Sequence, residues 1–323
     1  MKIHSLFRLF VTAMIVVLAA VSPVHAEAEV QSKKRIALSF DDIPRMRGAF
    51  LSPDERTEKL IAALKAAKVG QAAFFLNPCK LGDPDGVGGE ARIAAYVAAG
   101  HVIANHSCTH PSLHAVSAEE FLADIDTAAN WLKDRPGYRP WFRFPYLREG
   151  GDDKVKRDAV RAGLKVRGLR NGYVTADGND WNLEQLTIDA AKQGKTMDME
   201  ALRKLYIQQQ LSGIDYHEEL ARRTLGRSPA HIMLLHETDL AAVYIGDLIS
   251  ELRNNGWTII SADEAFADPI GEAMPDVPYS AGTLIGSMAW EKDIQPPLSP
   301  VWITESMSTF LFKRRVLKET ESQ

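Results

Sequence analysis

The sequence predicts an α/β fold, a distorted (β/α)7-type TIM-like barrel that carries a helical insertion and a C-terminal extension. Three observations predict it. From Arg35 onward, short β-rich apolar runs alternate with longer stretches of helical spacing, the order expected of βα units around a parallel sheet. Seven or eight such units follow one another, which suits a barrel; a doubly wound open sheet is the alternative, because periodicity does not say whether a sheet closes. The 323 residues are also enough for one large buried core.

The first segment is not part of that fold. Lys2 and Arg8 precede the apolar run "LFVTAMIVVLAAV" and the small-residue exit "VHA" ending at Ala26, the pattern of a secretory signal peptide. The run is shorter than the ~20 apolar residues of a membrane span, so residues 1–26 are read as removed and the protein as exported, periplasmic or secreted, without stable membrane insertion. Residues 27–267 would form the barrel domain. The strands are "RIALSF", "QAAFFL", "HVIAN", "WFRFP", "KVRGL", "YVTAD", "HIMLL" and "TIISA".

Between the first two strands, "SPDERTEKLIAALKAAK" has Ser52 as N-cap, Pro53 at the first helical position, acids in the first turn and Leu60, Ile61 and Leu64 on one face. "GGEARIAAYVAAG", "SAEEFLADIDTAANWLK", "DDKVKRDAVRAG" and "DLAAVYIGDLISELRNNG" repeat the design, several closing on a glycine that suits a helix C-cap. Three segments break the rhythm: the Gly-rich loop "NPCKLGDPDGVGG", a mostly helical insertion at about 182–228, and the extension 268–323. That extension has six prolines from Pro269 to Pro300 and then a short helical pattern in "ITESMSTFLFKRRVLKE", expected to pack on the barrel. A membrane or partner contact through "FLFKRRVLK" is the alternative.

Charge and cysteine content exclude some classes. Losing Lys2 and Arg8 with no acid moves the net charge from −4 to −6, and mild acidity argues against nucleic acid as a partner. Cys79 and Cys108 are the two cysteines, too few for a disulfide framework. They form one bridge or remain thiols.

Chemistry concentrates where strands end, the face on which parallel α/β folds bind ligands. "NHSCTH" follows the third strand and sets His106 four residues before His110; if the turn coils, both imidazoles reach one side and suit a divalent metal. Alone, such a pair is a weak signal. The first strand ends in "SFDDIP", where Asp41 and Asp42 repel each other unless a cation or arginine compensates. "RFPY" brings Arg143 to the same rim, "DGNDW" brings Asp180 and Trp181, and "LLH" brings His236. An aspartate orienting a histidine is the usual arrangement of a general acid. His101, His114, His217 and His231 fall in no motif and are read as structural.

In order, rough spacing and strand-end position, "SFDD", "HSCTH", "RFPY", "DGNDW" and "LLH" resemble the five motifs of the polysaccharide deacetylases, metal-dependent carbohydrate esterases, across about residues 33–267. The resemblance implies Asp42, His106 and His110 as ligands of a divalent cation, zinc with cobalt or nickel as substitutes. It implies Asp41 as general base held by Arg143, and His236 as general acid oriented by Asp180. A backbone N–H near Tyr146 would stabilise the oxyanion, and Trp181 and Leu234 would line the slot for the acetyl methyl. The implied partner is an acetylated glycan, N- or O-linked, with acetate released by metal-activated water.

Departures from the family pattern are Ser39 for a common threonine, Ile43 for a common glycine, and Cys108 between the two histidines. They leave room for a catalytically weak carbohydrate-binding relative, or for a hydrolase of small amides or imides. A serine hydrolase lacks its G-x-S-x-G elbow, and "GDPDGVGG" lacks the Lys-Ser or Lys-Thr of a phosphate loop. A glycosidase built on Asp41 and Asp42 would leave the histidines and Arg143 idle.

Overall fold

A nine-residue strand with an apolar first half, β1 (Arg35–Ile43), lies inside the sheet with nearly every side chain buried. Such a run has no polar face to show water, as expected of a parallel strand covered on both sides. The computed structural model describes residues 33–300 and 304–319; the signal segment read at 1–26 lies outside them. On one side β1 pairs in parallel with β2 (Ala73–Leu76), which leads through β3 (Val102–Asn105) and β4 (Tyr138–Phe142). On the other side it pairs with β8 (Ala230–His236) along seven register positions.

The strand β5 (Arg148–Gly151) stands apart from this sheet, while β6 (Arg170–Asn171) pairs with β4 and β7 (Ala176–Asp177) with β8. The order is therefore β6-β4-β3-β2-β1-β8-β7, with β9 (Thr258–Ile259) added beside β1. This is the cyclic order of a seven-stranded barrel left open between β6 and β7. The short strand β10 (Ser280–Ala281) pairs antiparallel with β5, and Leu284 N–H donates to the Val174 carbonyl at 2.8 Å. Residues of the C-terminal extension thus satisfy backbone groups near the open seam.

Helices alternate with the strands for local reasons. α1 (Pro53–Ala66) starts with the Ser52/Glu55 capping box, and α2 (Gly89–Ala98) follows the Gly-rich loop. α3 (Ala118–Leu132) repeats the capping box with Ser117 and Glu120, and α4 (Lys154–Val166) is capped by Asp153. The insertion is two helices, α5 (Asp180–Lys192) and α6 (Met199–Leu225), the second ending at Gly226 with φ of 69°. α7 (Asp239–Asn254) and α8 (Ala262–Phe266) complete the units. In the extension, α9 (Leu284–Glu291) buries Leu284, Ile285 and Met288, and α10 (Glu305–Leu311) with the turn after it buries Leu311, Phe312 and Val316. Of the apolar residues of "FLFKRRVLK", Leu311, Phe312 and Val316 therefore face the protein core, while Phe310 stays exposed.

Three strand expectations need correction, and one of them, "YVTAD", is extended only at Ala176–Asp177. "KVRGL" is not a strand: α4 runs on to Val166, because helix-favouring Leu164 packs inward, and the extended pair is Arg170–Asn171. "TIISA" is extended only at Thr258–Ile259, since Ser261 caps α8 by accepting Glu264 N–H. Among the described residues no helix is long and apolar enough to cross a membrane.

Cys79 and Cys108 form a disulfide across 29 residues of sequence, tying the loop after β2 to the loop after β3. Replacing both with serine should lower the unfolding free energy by about 3–4 kcal/mol on chain-entropy grounds. Urea unfolding checks this, and an unshifted midpoint would show that the bridge adds nothing to stability.

Candidate active site

Asp41 sits directly opposite His236 in the β1–β8 register. Successive residues of a regular strand point to opposite faces, so Asp41 and Asp42 should diverge. They do not, because the register against β2 shifts between Phe40 and Ile43 and Asp42 takes φ of 70°, a bulge that re-aims a side chain at a strand end.

The histidine loop is not helical, contrary to the coiled turn expected from the spacing of four. Ser107 and His110 have φ of 66° and 63°. Asn105 Oδ1 accepts Ser107 N–H at 2.7 Å, and Ser107 Oγ accepts His110 N–H at 3.1 Å. Asp124 receives the Cys108 and Thr109 N–H groups. These side chains replace the missing helical bonds and fold the loop so that the imidazole centroids lie 4.9 Å apart.

His106 Nδ1–H donates to the Arg143 carbonyl at 2.9 Å, which leaves its Nε2 lone pair free. Asp42 Oδ1 lies 3.3 Å from His110 Nε2 and 3.8 Å from His106 Nε2. That oxygen is buried and has no hydrogen-bond donor. One donor atom from each of the three residues lies within 4.8 Å of the others, the one such cluster among the described residues. A carboxylate oxygen and two imidazole nitrogens are the donor set of zinc and its neighbours, so the residues present fit such an ion. Burial holds both imidazoles at about 3, deprotonated as metal ligands must be. Burial also raises Asp42, but Arg45, Lys80 and the histidines outweigh it and keep the carboxyl well below its usual range.

Asp41 is placed by Arg143, which is wholly buried. Arg143 Nη1 donates to Asp41 Oδ1 at 2.6 Å and to Ser39 Oγ at 2.9 Å, and Nε donates to the Gly172 carbonyl at 2.7 Å. The guanidinium also lies 3.8 Å over the Phe75 ring. Ser39 supplies the hydroxyl a threonine would, so that departure costs the site nothing visible. Burial pushes Asp41 up, Arg143 and His236 pull it back, and it stays above the usual carboxylate value, a direction that suits a base.

Asp180, at the start of α5, accepts His236 N–H at 2.8 Å and pairs with Nδ1 at 2.7 Å. Burial lowers the imidazole pKa, yet Asp180 more than compensates, and His236 ends above its ordinary value. Asp41, Asp42, His106, His110, Tyr146, Trp181, Leu234 and His236 line one cavity of about 460 Å³. Arg143 and Asp180 stand behind it, touching Asp41 and His236. Tyr146, with φ of 58°, sets its ring 4.6 Å from that of His110.

The cavity also has residues that the sequence reading missed. Asp177, pushed up to about 6 by burial, ends β7; its place in "TADG" at a strand end was the available signal. Arg45 follows Pro44 directly, whereas Arg148, Gly282 and Glu305 come from segments with no motif. His101, His217 and His231 are buried and bonded to Ala72 N–H, the Gly213 carbonyl, and Thr175 with Glu218, outside the cavity.

A family model described as polysaccharide deacetylase matches residues 28–167. Chitin deacetylase 1 of Cryptococcus neoformans is 27% identical over 176 residues, 53% of this chain and 34% of that protein. The peptidoglycan-N-acetylglucosamine deacetylase of Bacillus cereus is 34% identical over 116 residues, 36% of this chain and 37% of that protein. The chain thus spans about a third of the length of the curated relatives it matches. Among solved structures, the chitin deacetylase of Colletotrichum lindemuthianum shares the fold, with a TM-score of 0.50, 18% identity, and coverage of 73% of this chain and 88% of that one.

Because Asp180 raises the His236 pKa above the unfolded value near 6.5, the pair stabilises the fold fully below that pH and loses its contribution as pH rises through the folded pKa. Asp180→Asn should therefore lower the imidazole pKa, measured by NMR titration of His236. An unmoved titration would refute the pairing.

Proposed function

Starting from a chain whose residues 28–167 match the model of the polysaccharide deacetylase family, we propose that the protein is an exported, metal-dependent hydrolase of that family. It removes N-acetyl, or O-acetyl, groups from a polysaccharide or oligosaccharide. The observation that carries this reading is the meeting of three metal-type donors with two proton-transfer pairs, Asp41 with Arg143 and His236 with Asp180, around one cavity. Two of the contributing motifs, at Asp180 and His236, lie beyond the matched segment and join the site through the sheet register.

Asp42, His106 and His110 would hold the ion, zinc with cobalt or nickel as substitutes. A divalent cation bound there lowers the pKa of water and polarises a carbonyl oxygen. Asp41, kept in place by Arg143, accepts the proton of the attacking water. His236, protonated and held through Nδ1 by Asp180, presents Nε2 as the donor to the departing sugar amine or alcohol. Trp181 and Leu234 would give the acetyl methyl an apolar wall, and a backbone N–H near Tyr146 would help stabilise the developing oxyanion. The names of the curated relatives, chitin and peptidoglycan-N-acetylglucosamine deacetylases, support an acetylated glycan as substrate. The signal-like segment at 1–26 supports export.

The altered turn at Ile43 does not favour a non-catalytic relative, because it still delivers Asp42 Oδ1 to the histidines. The test is acetate release from acetylated glycans by the zinc-loaded protein. Chelation should abolish it, and Asp41→Asn should reduce it by about 10²–10⁴-fold, the range for a lost general base. Undiminished release by that variant would remove Asp41 from its role.

A further inference from the structure

Arg45 belongs to none of the five motifs, yet it holds one of the residues that matter most. Its Nη1 donates to Asp42 Oδ2 at 2.6 Å, with both side chains 15% exposed. The backbone beneath it is fastened from inside the protein. Arg45 N–H donates to Glu237 Oε2 at 3.3 Å, and its carbonyl accepts from Arg56 Nη2 at 2.7 Å. Arg56 is itself buried between Glu237 and Asp239, at 3.7 and 3.3 Å. The guanidinium therefore stands on a fixed base beside the Asp42 carboxylate.

The two oxygens of Asp42 are treated differently. Oδ2 is bound to Arg45, while Oδ1 accepts no hydrogen bond and faces the two imidazoles. Lys80 Nζ lies 3.6 Å from Oδ1, beyond a good hydrogen bond.

We propose that Arg45 is a positioning residue for the metal-binding carboxylate, holding Oδ2 so that Oδ1 is presented to the ion, and that Lys80 opposes it by competing for Oδ1. The inference rests on the metal-dependent reading of this site. Partners that orient a metal ligand are commonly worth 10–100-fold in affinity or activity. Charge and orientation predict opposite signs at Arg45. Removing a guanidinium beside a dication would, by charge alone, tighten metal binding, so weaker binding reports lost orientation.

The experiment titrates cobalt and zinc into the purified full chain and its Arg45→Met, Arg45→Lys and Lys80→Met variants, by calorimetry and by the visible absorption of the cobalt form. Thermal unfolding of the metal-free proteins runs alongside. Arg45→Met should bind about 10–100-fold more weakly and alter the cobalt spectrum while unfolding near the parent temperature. Arg45→Lys, which keeps a donor, should recover part of the loss. Lys80→Met should bind more tightly, by up to about fivefold, a gain that a damaged fold cannot produce. Equal or tighter binding by Arg45→Met overturns the proposal. If the parent binds metal and releases acetate while Arg45→Met binds no more weakly, this inference alone falls; if the parent takes up no metal, the metal-dependent reading falls with it.

Discussion

Two neighbouring carboxylates at the end of one buried strand are the constraint on which this site depends. Burial favours their neutral forms, and the charge of Asp42 pushes Asp41 up further. The protein gives each a different cationic partner: Arg143 for Asp41, Arg45 with Lys80 for Asp42. The outcomes diverge as a consequence, with Asp41 raised and Asp42 held low. One carboxyl is biased toward proton transfer and the other toward metal ligation. Breaking a buried pair such as Arg143–Asp41 leaves an uncompensated charge, a loss of about 3–5 kcal/mol in comparable cases, so function and stability are joined at the end of β1.

Around that strand end the remaining parts are fastened by bonds that reach between motifs. His106 gives its Nδ1 proton to the carbonyl of Arg143, so the third motif orients a ligand from the second. Ser39 of the first motif joins Arg143 to the carbonyl of Met233, in the middle of the strand that ends at His236. Arg56, Glu237 and Asp239 link the turn after Asp42 to the loop after His236. Displacing one motif would disturb its neighbours, which is the structural meaning of a preorganised site.

Most of the site was legible because each of its chemistry-bearing residues ends a strand or lies within a few residues of one, and strand ends can be read from an apolar run that stops at polar residues. The ten residues named from sequence gather at one cavity or stand directly behind it. Helix starts were legible for a similarly local reason, since Ser52 and Ser117 each precede a glutamate by three residues and form capping boxes. What was misread depended on distant contacts. "KVRGL" has apolar and β-branched residues but continues a helix whose inward face is decided by packing. The histidine loop reached its convergence through left-handed residues and through Asn105 and Asp124, none of which a spacing of four reveals.

The amino-acid order by itself determined the alternation of strands and helices, the five polar clusters at strand ends and the chemistry those side chains can perform, because these depend on neighbours close in the chain. Tertiary structure alone decided that the sheet stays open between β6 and β7, that Cys79 bonds to Cys108, and that Glu305 reaches the cavity rim. It also decided which oxygen of Asp42 faces the histidines. Those outcomes are set by distances between segments far apart in sequence, where burial and charge act through space and leave no local pattern to read.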